Sequence, residues 1–305
     1  MRLPSPIRVF ERGWLSSNNI LLSGGKGTAL VDSGYISHAP QTITLLEYAL
    51  VERKLDWLLN THCHSDHMGG NAAIQARWTC RTSIPSGEAP LIRVWDERAL
   101  MLDFADQRAE RFRIDDTFEA GEVVSMGGIE WEVIAAPGHD THAVMFHSPD
   151  ERLLISGDAL WENGFGVVFP QLFGREQALA ETRATLETIE RLRVKTVIPG
   201  HGPAFDGIEP ALERAYRRLE GFEQSIERLA RHAVKVMLVF ALLDKQSMAL
   251  EALPEYVRTV PILADLNERY LRMTPEALAQ YMLADLEKAG ALRLQDGMLV
   301  PRMGA

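Results

Sequence analysis

The chain has 305 residues, 46% of them hydrophobic, and 32 Lys and Arg against 42 Asp and Glu give a net charge of −10. That apolar content supports a real core in one large or two modest domains, while the acid excess argues against nucleic acid, whose phosphates need clustered cations. Two cysteines exclude a disulfide framework, so Cys63 and Cys80 read as small buried side chains.

The opening residues, Met1-Arg2-Leu3-Pro4-Ser5-Pro6-Ile7-Arg8, put prolines and charges where a secretory signal needs an unbroken apolar run, so a cytoplasmic location is expected. Strands are then predicted over 7–10, 19–22 and 28–32, separated by turns such as Gly24-Gly25-Lys26-Gly27. Residues 39–53 read as a helix with Ile43, Leu46, Leu50 and Val51 on its apolar face. A short apolar run over 55–60 reads as a buried strand.

That strand delivers Thr61-His62-Cys63-His64-Ser65-Asp66-His67-Met68-Gly69-Gly70. In extended backbone, residues two apart share a side, so His62 and His64 can hold one metal ion together. A turn brings Asp66 and His67 round from another direction, which suits a second ion, and Gly69-Gly70 lets the backbone fold tightly into a helix over 71–77. Imidazole and carboxylate are donors for zinc, iron or manganese. Residues 94–113 are also expected to be helical, with Trp95, Leu100, Met101 and Phe104 as core-packing positions among charges.

Strands return over 118–136. Three further motifs each follow a strand-like run: Ala136-Pro137-Gly138-His139-Asp140, Ser156-Gly157-Asp158-Ala159 and Pro199-Gly200-His201-Gly202-Pro203. After Asp158 comes an aromatic, glycine-punctuated segment in which Trp161, Phe165 and Phe169 are candidate substrate contacts or ordinary core filling. A helix is predicted over 176–193. His38, His142, His147 and His232 are expected to be structural.

His62-x-His64-x-Asp66-His67, followed in order by His139, Asp158 and His201, resembles the metallo-β-lactamase superfamily over about residues 7–205. The resemblance implies an α/β fold, an αββα sandwich of two β-sheets with helices outside and a two-metal site at one edge. It also implies His62, His64 and His139 on the first ion, Asp66, His67 and His201 on the second, and Asp158 as a bridge. Asp32, in Val31-Asp32-Ser33-Gly34, would orient a ligand from behind rather than bind metal, although an Asx turn at a strand end reads almost as well. An Asp at 158 resembles the glyoxalase II and lactonase type rather than true class B β-lactamases.

From residue 209 the composition shifts to helix formers, and Leu212, Tyr216, Leu219, Phe222, Ile226 and Leu229 predict one long amphipathic helix. The apolar run over 233–243 contains Lys235 and is too short to span a bilayer, so it is expected to be a buried helix with no membrane role. Thr274-Pro275-Glu276 starts another helix and Asp296-Gly297 marks a hairpin. This tail resembles the winged-helix-like domain of the β-lactamase-like protein 2 group, which divides the chain into a metal-binding domain over 1–208 and a helical one over 209–305. Its last helix carries Glu276, Asp285 and Glu287 against Lys288, so it is expected to pack, wall a pocket or form a dimer surface rather than read nucleic acid.

The expected activity is hydrolysis of a small-molecule thioester, ester or lactone by a hydroxide bridging two divalent metal ions, zinc foremost, with Asp158 as bridge and Asp66 able to shuttle a proton. A metal-dependent endoribonuclease and a mononuclear-iron persulfide dioxygenase are the alternatives. Retention of Asp66, His67 and His201 argues against the second of these.

Overall fold

The computed structural model describes residues 3–25 and 27–302. Two six-stranded sheets lie face to face. The first runs β1 (Ile7–Phe10), β2 (Asn19–Gly24), β3 (Gly27–Val31), β4 (Trp57–Leu59), β5 (Arg81–Pro85) and β6 (Asp116–Phe118) in spatial order. β1 to β3 form an antiparallel meander, and β3 to β6 are parallel. Lys26, in the predicted turn between β2 and β3, lies outside the described residues, as do Met1 and Arg2.

The second sheet comprises β7 (Val123–Met126), β8 (Ile129–Ala135), β9 (Val144–Ser148), β10 (Leu153–Gly157), β11 (Thr196–Pro199) and β12 (Phe205–Asp206), in the reverse spatial order. β8, β10 and β11 run the same way, because β9 is antiparallel to both β8 and β10 while β10 and β11 are parallel.

The strands are apolar on both faces because both faces are covered. Ile20, Leu22, Val31 and Leu59 point inward to meet Trp131, Val133, Phe146, Ile155 and Ile198 between the sheets. The alternate residues Leu21, Leu30 and Leu58 point outward against α1 (Ala39–Leu50) and the helices that follow it. Val51, predicted on the apolar face of α1, instead caps it in a positive-φ conformation and is 81% exposed. α2 (Ser65–Met68) is one turn long, α3 (Asn71–Arg77) matches its prediction, and α4 (Ala89–Val94) precedes the segment expected to be helical.

Over 94–113 that expectation fails. Trp95, Met101 and Asp106 adopt positive φ, which breaks any continuous helix, and only a 3₁₀ turn at Asp103–Ala105 remains. Leu100 and Phe104 are nonetheless buried, as core-packing positions should be. α5 (Phe169–Leu172) and α6 (Ala178–Arg191) follow the second sheet.

The predicted single long helix of the tail is two helices, α7 (Ile208–Gln224) and α8 (Ile226–Lys245), broken at Ser225 by extended backbone. Then come α9 (Leu253–Thr259), α10 (Pro261–Leu266) and α11 (Pro275–Lys288), with Thr274 Oγ1 accepting from Ala277 N at 3.2 Å as an N-cap. A short β13 (Met248–Ala249) precedes them and pairs with the last strand of the expected hairpin, which β14 (Leu292–Gln295) and β15 (Met298–Pro301) form through Asp296-Gly297. One apolar cluster runs from Met145, Leu154 and Val197 on the outer face of the second sheet through α6 to α7, α8, α11 and Leu299. The tail therefore shares its core with the sheets. No helix among the described residues is long and apolar enough to cross a membrane.

Candidate metal centre

Every ligand candidate lies on a segment that follows a strand. His62 and His64 leave the end of β4, α2 turns Asp66 and His67 back toward them, and His139, Asp158 and His201 follow β8, β10 and β11. The structure brings all seven together. The donor atoms of His62, His64 and His139 lie within 4.8 Å of one another, as do those of Asp66, His67, Asp158 and His201.

Asp158 faces both groups. Its Oδ1 is 3.3 Å from His67 Nε2 and 3.8 Å from His201 Nε2, while its Oδ2 is 3.4 Å from His139 Nε2. His64 Nδ1 is 2.8 Å from His139 Nε2, and His201 Nε2 is 3.0 Å from Asp66 Oδ2. Gly200 is needed for this approach, since a Cβ there would collide with Asp158 Oδ1 and come within 3.0 Å of His67 Cε1.

Partners behind the cluster fix the imidazoles. His139 Nδ1 donates to Val167 O at 2.6 Å, which leaves Nε2 with its lone pair. His67 Nδ1 donates to Asp32 Oδ2 at 2.8 Å, and Asp32 also accepts from Thr61 N and Thr61 Oγ1, both at 2.9 Å. Orientation from behind is the role expected of Asp32, and its contacts are of that kind. A loop before β2 stitches the two halves of the site: Ser17 N donates to Asp66 O, Asn18 N to Gly200 O, and Asn18 Nδ2 to Pro199 O and Gly202 O.

Burial, together with His67 and other neighbouring imidazoles, holds His62 well below the usual histidine range; burial and His139 push His64 down to about 4. Burial also opposes charge on His67, but Asp32, Asp158 and Asp66 outweigh it and raise its pKa well above the ordinary value. Asp158 is lowered well below the carboxylate range: burial opposes this, and His67 and His201 prevail. The first group thus offers His62 and His64 as neutral imidazoles, while the buried carboxylates of the second create a field that favours positive charge. His62 Nε2 and His67 Nε2 are buried without a hydrogen-bond partner. Unsatisfied buried nitrogens facing carboxylates fit the donor set of a divalent metal ion.

Aromatic rings surround the cluster. Trp161 Nε1 donates to Asp158 Oδ1 at 3.2 Å and packs its edge on His201, and Phe169 packs against His64 and His139. Phe165 does otherwise: it is 1% exposed, packs against Phe222 in the core and does not line the cavity. Among the four histidines expected to be structural, His38 bonds Ser16 Oγ and His147 faces Glu132, whereas His142 is exposed and His232 lines the cavity. Sequence reasoning missed Trp14, which stacks on His201 at 5.4 Å. It also missed a role for Asp140, whose Oδ2 lies 3.9 Å from His64 Nε2.

A family model described as the metallo-beta-lactamase superfamily matches residues 12–201. The chain belongs to that superfamily. It is 30% identical over 175 residues to a hydroxyacylglutathione hydrolase of Hyphomonas neptunium, covering 53% of this chain and 59% of that one. It is 28% identical over 220 residues to a beta-lactamase-like protein 2 homolog of Caenorhabditis elegans, covering 71% of this chain and 66% of that one. The matches therefore span less than two thirds of either relative's length. Two solved structures share the metallo-beta-lactamase fold over nearly the whole chain. One is a beta-lactamase domain protein from Burkholderia ambifaria, with a TM-score of 0.58, 22% identity and coverage of 99% of this chain and 94% of that one. The other, a metallo-beta-lactamase family protein from Thermus thermophilus, has a TM-score of 0.57 and 20% identity, with coverage of 99% of this chain and 100% of that one.

Asp32→Asn should lower metal affinity or turnover about 10- to 100-fold, the usual cost of losing a ligand's outer partner. Asn tolerates the positive φ at this position, so the backbone stays, while its amide nitrogen cannot accept, so that one side of the set His67 Nδ1, Thr61 N and Thr61 Oγ1 loses its acceptor. A metal titration of the purified variant checks this, and wild-type affinity would exclude the orienting role.

Proposed function

We propose that the chain hydrolyses acyl compounds, namely thioesters, esters or lactones, with two divalent metal ions at this cluster. The observation that carries the reading is the placement of Asp158, which turns one carboxylate oxygen to each ligand group. His62, His64 and His139 would hold one ion, Asp66, His67 and His201 the other, with Asp158 shared. When bound, such ions bring the pKa of water toward neutrality and polarise an acyl carbonyl.

The remaining work falls to the chain. Asp66 lines the cavity beside His201, where its carboxylate can take up a proton and return it to the leaving atom. Trp14, Trp161 and Phe169 exclude water and seat an apolar portion of the substrate. Zinc is the first expectation, and the same donors suit iron or manganese. The relatives named hydroxyacylglutathione hydrolase support a thioester as the first substrate to try.

We read the tail from residue 209, with its helices and three-stranded sheet, as a winged-helix-like unit that walls the cavity. α11 carries Glu276, Asp285 and Glu287 against Lys288, a balance that repels phosphate backbones.

The test is elemental analysis of protein purified without added metal, paired with turnover on thioesters, lactones and single-stranded RNA. About two metals per chain with acyl turnover is the expected result. One iron per chain without hydrolysis, or cleavage of RNA alone, would overturn the proposal.

A further inference from the structure

The cavity that holds the metal-ligand candidates continues away from them, between the sheets and helices α7, α8 and α11. Its volume is about 410 Å³, and Trp161, Phe169, Val236, Phe240 and Leu286 give it largely apolar walls. Beside these apolar residues α7 and α8 also add groups of the opposite kind: Arg218, His232 and Lys235. Asp285, which α11 brings to the same cavity, is already engaged by Lys235 Nζ at 2.8 Å.

Arg218 has no comparable partner. Among the described residues no carboxylate or carbonyl accepts from its guanidinium and no aromatic ring lies beneath it. The group is seated against the loop that follows Asp158, at Gly164, where a Cβ would come within 2.6 Å of Cζ. Any other residue there would displace it. Burial draws the Arg218 pKa below its ordinary value, yet a guanidinium keeps its charge in proteins. Beside it His232, stacked on Phe222 at 5.7 Å, is pushed down to about 3 by burial and by the charges of Arg218 and Lys235. His232 is therefore neutral at pH 7 and has one ring N–H to donate.

A half-buried cation without a counter-charge costs stability, and a chain gains nothing from holding one unless an anion arrives from outside. The planar fork of a guanidinium matches a carboxylate or a phosphate through two parallel hydrogen bonds. We infer that Arg218 receives an anionic group of the substrate, so that the cavity takes an acyl compound whose apolar portion leads from the metal centre to a terminal carboxylate or phosphate. As a substrate subsite this rests on the hydrolase reading above. As an anion site it can be tested without turnover.

The test is calorimetric titration of chelator-stripped protein with octanoate, octyl phosphate and octan-1-ol. Removing metal leaves the carboxylates of the ligand cluster, which do not attract anions. Wild type should bind at least one of the anions about tenfold or more tightly than the alcohol, the discrimination expected of a charge-assisted pair. Whichever anion binds more tightly identifies the terminal group. Arg218→Met should erase the preference, and Arg218→Lys, a point charge without the fork, should retain part of it. Equal binding of alcohol and anions by wild type would overturn the subsite, and so would an unchanged preference in Arg218→Met.

The melting temperature of Arg218→Met provides a second readout. It should stay level or rise, because an unpartnered cation leaves the interior; a structural arginine would give a clear fall and overturn the inference. On the metal-loaded enzyme, matched succinyl and butyryl thioesters should show a kcat/KM ratio favouring the succinyl compound that collapses toward one in Arg218→Met. If no acyl compound is hydrolysed but the octanoate preference appears in wild type and vanishes in the variant, the anion site stands and the hydrolase reading falls.

Discussion

Asp158→Ala should abolish most turnover and take metal content from about two ions per chain to about one. The carboxylate reaches both groups, 3.3 Å from His67 Nε2 through one oxygen and 3.4 Å from His139 Nε2 through the other. Losing an outer partner of a ligand already costs about 10- to 100-fold, so losing a shared ligand should cost at least about 100-fold. The change also frees Trp161 Nε1, which donates to Asp158 Oδ1. Misfolding predicts the same loss of activity, and the metal-free variant separates the two. Against the effect of burial, His67 and His201 hold Asp158 well below the carboxylate range, so its loss should lower the melting temperature of the metal-free protein, yet the variant should still melt in one cooperative transition, which a misfolded chain would not show. Turnover within about threefold of wild type, with two metals retained, would sink the assignment.

A chain ending at Gly207 should fail to fold cooperatively. The tail is not an appendage, because α6 packs along α7 and one apolar cluster takes in Leu154, Leu186, Ile189 and Val197 together with Leu219, Leu229, Val234 and Leu238. Each such side chain contributes roughly 1.5 to 3 kcal/mol when fully buried. Exposing even four of them costs about 6 to 12 kcal/mol, which is comparable to the whole stability of a typical domain at about 5 to 15 kcal/mol. The truncated chain should therefore appear in the insoluble fraction or unfold without a sharp transition in circular dichroism. A soluble fragment with a single cooperative melt would mean that residues 1–207 form an independent unit after all.

The metal-ligand candidates were readable from the sequence because each sits in a short motif just after an apolar run. His62 and His64 were paired on extended geometry, whereas β4 ends at Leu59 and a bend at Thr61 and His62 brings the two imidazoles together. Strand alternation and the Asp296-Gly297 hairpin were readable for the same local reason. What escaped was non-local. The apolar spacing of Leu219, Phe222, Ile226 and Leu229 passes through Ser225 in phase, so periodicity gave no sign of the break between α7 and α8. Over residues 94–113 mixed charges and apolar side chains imitated a helix face, and nothing in composition marks Trp95, Met101 or Asp106 for positive φ. Phe165 and Phe169 look alike in sequence, yet one enters the core and the other lines the cavity. Trp14, Arg218 and His232 come from distant segments that meet only in the folded chain.

The loop of Ser16 to Asn19 has a further effect. Ser17 and Asn18 bond the backbone on both the Asp66 and the His201 sides of the centre, and neither residue is a ligand candidate. The donor atoms are thus held in place by peptide hydrogen bonds, and an arriving ion finds a cage whose ordering entropy was spent during folding. In many small metalloproteins the ion folds the chain and its loss unfolds it. Here a continuous core and a stitched cage separate the two events. The chain should therefore keep its fold when stripped by a chelator, with an unchanged far-ultraviolet circular dichroism spectrum, and any exchange of one ion for another should proceed from the folded state.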